Sequence, residues 1–336
     1  MSQATVEDEV FVEKYRPKTL DDIIGHDVII ETLQSYVDDP TCPNLLFAGP
    51  QGSGKTAIVM AFAREKFGDA YKQNVMEMNA SDDRGIDVVR NQIKNFAMQG
   101  TTSGVDYKVI FLDESDQLTK DAQSALRRTM EQYQDTTRFF LTCNYPNQII
   151  QPIQSRCAPF RIKALGDGEI YEVVDRVVRE EGIEINDDDM KKIISDARGD
   201  ARKAIQSLQI VTMDGEVNPR SVEAIIGVIN DDELREIVDL ARGGQLHEAM
   251  EKVQVDVLKQ GATSRELASG FLRVLKNHED MTADERVKCI HKLADKEHRT
   301  KLGGDPLVQW SAFMADINVA QFLQLDQYAQ AQEGSQ

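Results

Sequence analysis

The sequence predicts an α/β domain built on a parallel sheet, followed by helical domains. Up to about residue 165, short apolar segments alternate with helical patterns, which is typical of a parallel sheet with flanking helices. From Gly166 onward the apolar residues recur at helical spacing, and no segment there reads as a comparable strand. The length of 336 residues fits two or three domains.

Four segments of the first part are predicted strands. Each ends in a polar or glycine-rich segment, and ligands of open α/β sheets bind at the carboxyl ends of the strands. We therefore expect functional residues directly after these segments. The four strands are Asn44–Ala48, Asn74–Asn79, Lys108–Asp113 and Arg138–Cys143.

The part after residue 166 is predicted to be helical, with a composition break near Gly227–Asp232. Apolar stripes run from Ile170 to Val178 and from Ala201 to Val211, each along one helical face. The polar end after Tyr328 is predicted to fray. Five helical stretches follow the break, at residues 233–242, 245–259, 264–277, 283–297 and 306–326.

The net charge, the lack of long apolar runs and the cysteine spacing each exclude some classes of protein. With 57 acidic and 39 basic residues the net charge is −18, which argues against a broadly nucleic-acid-binding surface but leaves room for a local basic strip. No apolar run of about 18 residues and no signal peptide is recognisable, so we expect a soluble protein inside the cell, with no membrane partner. Widely spaced cysteines without a CxxC pair predict buried thiols rather than a zinc site. They are Cys42, Cys143, Cys157 and Cys289.

A complete phosphate-binding loop pattern, G-x-x-x-x-G-K-[ST], follows the first predicted strand and precedes a helix starting at Ala57. In such a loop, backbone N–H groups surround the phosphates of a nucleotide, Lys55 adds a positive charge, and the Thr56 hydroxyl ligates Mg²⁺. The flanking strand and helix favour this interpretation over a chance glycine-rich turn. The eight residues are Gly49, Pro50, Gln51, Gly52, Ser53, Gly54, Lys55 and Thr56.

Polar residues follow two further strands. Asp113 and Glu114 are adjacent carboxylates: Asp113 is predicted to hold Mg²⁺ through water, and Glu114 to act as general base toward the attacking water. On its own, an acidic strand end is more often a solvated helix start, but the phosphate-binding loop favours the functional reading. Asn144, after the next strand, can orient water or contact the γ-phosphate; the alternative is a turn-forming Asn before Pro146.

Two arginines are candidates for the positive charge that phosphoryl transfer needs. Arg156, in Ser155-Arg156-Cys157, is a candidate arginine finger acting on a neighbouring subunit. Arg202 follows Asp200, a candidate cap of the second apolar-striped helix. Taken singly, either arginine would more commonly be a surface ion-pair partner.

Five segments besides the phosphate-binding loop together resemble the small-subunit family of replication factor C, the clamp loader of archaea and eukaryotes, within the AAA+ ATPases. The resemblance covers about residues 10–330, and its Glu-Lys-Tyr-Arg-Pro and Ser-Arg-Cys elements are more specific than the phosphate-binding loop. The segments are residues 13–20, 79–86, 113–116, 123–130 and 152–157.

This resemblance implies roles for individual residues. Asn144 corresponds to sensor 1, Arg202 to sensor 2, and Arg156 to the residue that completes the ATP site of the next subunit. Gln51, Ser53 and Ser115 depart from the usual Pro, Thr and Ala of the family, and none of these changes removes a catalytic group. The residues implied to line the adenine pocket are Tyr15, Arg16, Pro17, Ile24 and Gly25.

The resemblance also implies contact with DNA through the helix after Arg84, where Arg90 and Lys94 are spaced to project together. The alternative is a solvated helix face on which Arg90 pairs with Asp87. The segment Met98–Tyr107 lies on the clamp-facing side in the family, whereas by composition it is only a flexible loop.

The implied architecture is an α/β P-loop AAA+ ATPase domain (1–165), a small helical lid domain (166–228), an all-α C-terminal collar domain (229–328) and a flexible tail (329–336). The implied function is ATP- and Mg²⁺-dependent loading of a sliding clamp, a homologue of proliferating-cell nuclear antigen, onto primer–template DNA. The implied partners are a large subunit and other copies of the small subunit in a pentameric ring, in an archaeal cytoplasm at the nucleoid.

Two alternatives stay open at this point. The chain can be a scaffold whose nucleotide stays bound while another subunit turns over, although the intact set of catalytic residues argues against this. It can also be a different DNA-directed AAA+ motor, such as a branch-migration or origin-loading ATPase. That reading predicts a DNA-binding domain after the lid, such as a winged helix, and the sequence offers no strand pair for its wing.

Overall fold

The computed structural model describes residues 10–82, 85–101, 105–213, 216–219, 221–222, 231–258 and 263–318. The chain forms two compact units, residues 1–219 and 220–336. The finer division at residues 165 and 228 stays a prediction. The predicted tail, residues 329–336, lies outside the described residues.

The first unit is built on a five-stranded parallel sheet in the order β2-β3-β4-β1-β5. Because all strands run the same way, the carboxyl ends of β1, β3 and β4 meet at one edge, where the candidate site residues follow them. The strands are β1 (Asn44–Ala48), β2 (Val75–Asn79), β3 (Lys108–Asp113), β4 (Thr137–Cys143) and β5 (Cys157–Arg161).

The four predicted strands are confirmed, each to within one residue at its start. Those in the middle of the sheet are buried on both faces and therefore read as continuous apolar runs, as in Val109–Leu112 of β3. Strand β5 was not predicted. It lies at the edge of the sheet, its burial alternates, and it contains Pro159, which an edge strand tolerates.

Helices cover both faces of this sheet, and the buried residues form one apolar cluster on each face. The segment after residue 85 is not one regular α-helix, because a π-helix, Val89–Ile93, separates α5 from α6. The helices are α1 (Phe11–Lys14), α2 (Asp27–Val37), α3 (Lys55–Phe67), α4 (Tyr71–Asn74), α5 (Ile86–Val88), α6 (Lys94–Met98), α7 (Lys120–Gln132) and α8 (Gln151–Gln154). Short 3₁₀ turns lie at Leu20–Asp22, Gly68–Ala70, Ser115–Gln117 and Pro146–Gln148.

Three helices complete the first unit, and both predicted apolar stripes are buried in them. Asn186 and Asp200 cap the second and third of these helices by accepting backbone N–H groups, which fixes where each begins. The elements are α9 (Asp167–Glu181), α10 (Asp187–Ala197), α11 (Ala201–Val211) and the two-residue strands β6 (Thr212–Met213) and β7 (Glu216–Val217).

Within residues 231–258 and 263–318 the second unit consists of helices joined by short turns, so this described part contains no strand pair for a winged helix. All five predicted helical stretches are confirmed in type, but the stretch from residue 245 continues as a π-helix, Val253–Leu258. The helix predicted for residues 306–326 ends at Asp316, because residues 317 and 318 are not helical; residues 259 and 319–326 lie outside the description. The core is centred on Phe271, Trp310 and Phe313. The helices are α12 (Asp231–Arg242), α13 (Leu246–Lys252), α14 (Ser264–Asn277), α15 (Ala283–Lys301) and α16 (Pro306–Asp316).

The four cysteines are free and buried, as predicted. Burial raises the pKa of the Cys143 and Cys157 thiols to about 12, so they stay protonated and unreactive at neutral pH. Within the described ranges, the helices are all too short or too polar to cross a bilayer.

Candidate active site

The carboxyl edge of the sheet, the N-terminal segment and helices α9 and α11 enclose a cavity of about 240 Å³. Most of the predicted site residues line it together, although they come from distant parts of the chain. Gly25, Gly49 and Pro50 lie next to lining residues, whereas Arg156 is not part of the lining. The predicted residues that line the cavity are Tyr15, Arg16, Pro17, Ile24, Gln51, Gly52, Ser53, Gly54, Lys55, Thr56, Asp113, Glu114, Asn144 and Arg202.

The phosphate-binding loop requires glycine at two positions where the backbone is left-handed. Gly52 has φ +69° and Gly54 has φ +91°, a region that other residues rarely adopt. Gly54 directly precedes α3, so the loop turns into the N-terminus of a 13-residue helix. The free N–H groups and the dipole of that end favour an anion.

Lys55 is the most buried cation of the cavity, with 8% of its surface exposed. Its Nζ donates to Gly49 O (2.9 Å), Pro50 O (2.7 Å) and Asn144 Oδ1 (2.9 Å). Burial lowers the pKa of Lys55, and the nearby Asp113 carboxylate opposes that shift. Because all three N–H donors are engaged, a phosphate oxygen has to replace one of these acceptors.

Thr56 and Asp113 bring a hydroxyl and a carboxylate together. Thr56 Oγ1 donates to Asp113 Oδ2 (2.8 Å), and Thr142 Oγ1 donates to the other carboxylate oxygen. Oxygen donors of this kind suit Mg²⁺, which takes only one or two protein ligands when substrate phosphates supply others. The described residues contain no cluster of three or more acidic, His or Cys side chains that would form a complete metal cage. The pair therefore fits a phosphate-shared Mg²⁺ site.

Glu114 has a left-handed backbone, with φ +51°, which is uncommon for a residue with a side chain. Its N–H donates to Asp113 Oδ1 (3.1 Å) and to Thr142 Oγ1 (3.0 Å). These contacts hold the strained turn in place, and Glu114 is one of the residues that line the cavity.

Asp116 has a structural role at the site that the sequence analysis did not assign. Its buried carboxylate accepts the backbone N–H groups of Asn144 (3.2 Å) and Tyr145 (3.0 Å), so it ties the turn after β3 to the end of β4. Ser115, a departure from the family pattern, donates to Thr142 O (2.6 Å) and joins the same two strands.

Helices α9 and α11 close the cavity from the opposite side. Ala201 N donates to Gly52 O (3.2 Å), which places the start of α11 directly on the phosphate-binding loop. Arg202 lines the cavity, and its side chain makes no hydrogen bond or ion pair with any described residue, so its guanidinium is available to a ligand. Arg176, on α9, also lines the cavity and donates to Asp22 O (3.0 Å); no sequence motif singled it out.

The N-terminal segment is tied to the same helices. Tyr15 OH and Lys14 Nζ both donate to Glu181 Oε1, at 2.7 and 2.6 Å, and Phe11 N donates to Gln209 Oε1 (3.0 Å). The hydrogen bond from Lys14 is the main reason that the pKa of Glu181 is lowered, while burial raises the pKa of Tyr15. The ring of Tyr15 is thus held against the cavity by a carboxylate on α9.

The remaining predicted residues lie away from the cavity or outside the description. Arg156 donates to Pro152 O (2.7 Å) and pairs with Glu131 on the protein surface. Lys94 is exposed on α6. Arg84 and the side chain of Arg90 lie outside the described residues, so the basic strip and its alternative pairing with Asp87 stay predictions.

Comparisons with known proteins agree with this fold. Residues 45–164 match the family "ATPase family associated with various cellular activities (AAA)", and residues 229–316 match the "Replication factor C C-terminal domain". Proteins named replication factor C small subunit are similar over 92% of this chain: those of Natronomonas pharaonis (43% identity, 95% of its length), Halobacterium salinarum (44%, 96%) and Archaeoglobus fulgidus (40%, 97%).

Among solved structures, RuvB of Thermotoga maritima is similar with a TM-score of 0.52, covering 73% of this chain and 88% of that one. At 19% identity this likeness concerns the fold alone. A parallel sheet with a phosphate-binding loop, paired acidic residues and flanking helices defines a nucleotide-binding AAA+ ATPase. Within that class, the chain belongs to the replication factor C small-subunit family.

Proposed function

We propose that the chain is a small subunit of a clamp loader that binds ATP with Mg²⁺, opens a sliding clamp and places it on primer–template DNA. It assembles with a large subunit and other copies of itself in a pentameric ring, in the cytoplasm at the nucleoid. One observation carries the proposal: the cavity gathers the groups for ATP hydrolysis, while Arg156 lies outside it. The family relationship supports the same assignment.

Within one subunit, the phosphate-binding loop and Lys55 hold the phosphates, and the N-terminal segment around Tyr15 borders the base. Thr56 and Asp113 would hold Mg²⁺, which supplies positive charge to the phosphate oxygens when bound. Glu114 takes a proton from the attacking water while the oxygen of that water bonds to the γ-phosphorus. At the same time, the bond between the γ-phosphorus and the oxygen that leaves with ADP breaks. Asn144, whose Oδ1 contacts Lys55 Nζ at 2.9 Å, orients the γ-phosphate or the water.

A single subunit supplies only part of the positive charge that the γ-phosphate needs. Arg202, which lines the cavity, is proposed to act in the same chain, and Arg156, which does not line it, is proposed to act on the nucleotide of the neighbouring subunit. Hydrolysis therefore depends on assembly, with residues 166–228 as the lid and residues 229–328 as the collar that holds the ring together.

Arg84, Arg90 and Lys94 are proposed to contact the phosphates of primer–template DNA. Such contacts position the DNA without reading its sequence, so binding weakens steeply with salt. With a net charge of −18 on the chain, a local strip is required to attract DNA at all.

The test is the steady-state ATPase rate of the complex with its large subunit, with and without primed DNA and clamp. Wild type is compared with Arg156→Ala and with Arg299→Ala, a matched control that removes an exposed arginine paired with Asp295 on α15. DNA and clamp are expected to stimulate wild type and the control, and the stimulation collapses in Arg156→Ala while nucleotide binding persists.

An Arg156→Ala complex that keeps the stimulated rate would contradict the role in trans. Absence of any response to DNA and clamp would contradict clamp loading itself. Glu114→Gln distinguishes a subunit that hydrolyses ATP from a scaffold whose nucleotide stays bound. Unchanged clamp loading by this variant would mean that another subunit supplies the ATP hydrolysis.

A further inference from the structure

Glu131 is the next-to-last residue of α7, and its carboxylate lies between two arginines. It forms an ion pair with Arg156 Nη2, and Arg127 Nε lies 4.0 Å from the same oxygen. Glu131 directly follows residues 123–130, one of the segments that carry the family resemblance. Glu131 does not line the nucleotide cavity, and both of its ion pairs are with arginines.

The position of Glu131 is not explained by helix stability. The C-terminus of a helix carries a partial negative charge, so a carboxylate in the last turn is unfavourable unless cations neutralise it. The three side chains are between 36% and 41% exposed, and ion pairs at that exposure contribute little to stability. The main effect of the Glu131 carboxylate is therefore to orient the Arg156 side chain, and not to stabilise α7.

Arg156 is held at two points. Its Nη1 donates to Pro152 O at 2.7 Å, and its Nη2 pairs with Glu131. Of the five N–H donors of a guanidinium, the other three make no hydrogen bond within the described part of the chain. They remain available for the planar, two-bond contact that arginine makes with a phosphate.

We propose that Glu131 is the positioning residue of Arg156: it fixes the guanidinium so that its remaining N–H groups face the γ-phosphate bound by the neighbouring subunit. This inference rests on the proposed function, in which Arg156 acts in trans. A free arginine loses much rotamer freedom when it is ordered, and an arginine already held by Glu131 loses less on assembly. Glu131 thus contributes to the reaction without touching the nucleotide.

The experiment uses the complete complex with its large subunit, primed DNA and clamp. Glu131→Gln is compared with Glu131→Asp and with Glu297→Gln, a matched control that removes a carboxylate paired with Lys301 at 2.6 Å on α15. In Glu131→Gln we expect kcat to fall roughly tenfold with KM, nucleotide affinity and assembly unchanged, because only the orientation of a reacting group is lost. Glu131→Asp is expected to recover part of kcat, and the control to match wild type.

A double-variant comparison separates positioning from an independent effect. If Glu131 acts through Arg156, then Glu131→Gln causes no further loss of kcat in an Arg156→Ala background. A further loss, a rise in kcat, or impaired assembly of Glu131→Gln would each overturn the inference. If Glu131→Gln keeps a normal kcat while Arg156→Ala loses the stimulated ATPase rate, the role of Glu131 is refuted and the proposed function stays intact. If Arg156→Ala keeps the stimulated rate, the proposed function itself is refuted.

Discussion

Gly52 of the phosphate-binding loop lies directly against Asp200, the residue that caps the helix carrying Arg202. A Cβ atom at position 52 would lie 1.8 Å from Asp200 Oδ1, which is closer than any real contact. The same Oδ1 accepts Lys203 N at 2.9 Å, and Gly52 O accepts Ala201 N at 3.2 Å. The loop that holds the phosphates and the helix that carries Arg202 are therefore one packed unit.

Gly52→Ala is expected to displace α11 from the loop and to weaken ATP binding at least roughly tenfold while the sheet stays folded, because the added methyl group cannot fit beside Asp200. The measurement is ATP affinity by calorimetry. Gly182→Ala is the matched control: Gly182 has a similar φ of +65° but no neighbour within 4 Å of its added Cβ, so it reports backbone strain alone.

Asp200→Ala in the Gly52→Ala background removes the clash between the new methyl group and the Asp200 carboxylate, but it also removes the N-cap of α11. We expect this double variant to recover part of the lost affinity, although removal of the cap destabilises α11 by about 1 kcal/mol. Equal affinity losses in Gly52→Ala and Gly182→Ala would mean that strain, and not the contact with Asp200, is responsible.

Asp116→Asn tests the link between the turn after β3 and Asn144. The variant keeps the shape but loses the charge that accepts two backbone N–H groups, so we expect a stability loss of about 1–3 kcal/mol. In the assembled complex, kcat is expected to fall roughly tenfold with unchanged ATP affinity, because Asn144 is less firmly placed. Asp188→Asn, on the surface of α10, is the control. Unchanged kcat would show that the backbone of Asn144 is held without this carboxylate.

Local sequence determines some parts of this structure and not others. The phosphate-binding loop, Asp113, Glu114 and Asn144 follow from strand ends, because parallel topology brings those ends together. Strand β5 escaped prediction because an edge strand with alternating burial and Pro159 lacks a continuous apolar run.

The remaining site contacts depend on tertiary structure. The Asp116 carboxylate meets Asn144 N across 28 residues, Arg176 meets Asp22 O across 154, and Tyr15 meets Glu181 across 166. No periodicity or motif spacing encodes such pairs. The first forms only when β3 and β4 lie side by side, and the other two form only when α9 packs against the N-terminal segment.

The contact of Tyr15 and Lys14 with Glu181 predicts a pH dependence. Because the pKa of Glu181 is lowered in the folded protein, its contribution to stability is present above the ordinary range of a Glu carboxyl and is lost as pH falls through the lowered value. Glu181→Gln is expected to lower Tm at pH 7 by roughly 1–3 °C, a small effect because the pair is partly exposed.

The measurement is the Tm difference between wild type and Glu181→Gln, followed from pH 7 downward. The difference is expected to shrink as the pH falls, and ATP affinity at pH 7 to drop a few-fold as the ring of Tyr15 loses its anchor. Glu248→Gln, an exposed change in the second unit, is the control. A Tm difference that stays constant down to pH 3 would refute the assignment of this effect to the Glu181 carboxylate.

Phe313→Ala tests whether the aromatic cluster holds the second unit together. The Phe313 ring lies 5.3 Å from that of Phe271 and 6.2 Å from that of Trp310, and all three side chains are fully buried. Removing it leaves a cavity, so we expect a loss of about 3–5 kcal/mol in the unfolding free energy of this unit. Trp310 is the only tryptophan of the chain, so its fluorescence during urea unfolding reports on this unit specifically.

Val308→Ala, at a 61% exposed position on the same helix, is the control and is expected to change the unfolding free energy by less than about 0.5 kcal/mol. Because the nucleotide cavity belongs entirely to the first unit, the ATP affinity of Phe313→Ala is expected to equal that of wild type. A matching loss of ATP affinity would mean that the two units fold cooperatively. A loss of assembly with intact nucleotide binding would instead support the role of this helical unit as the collar.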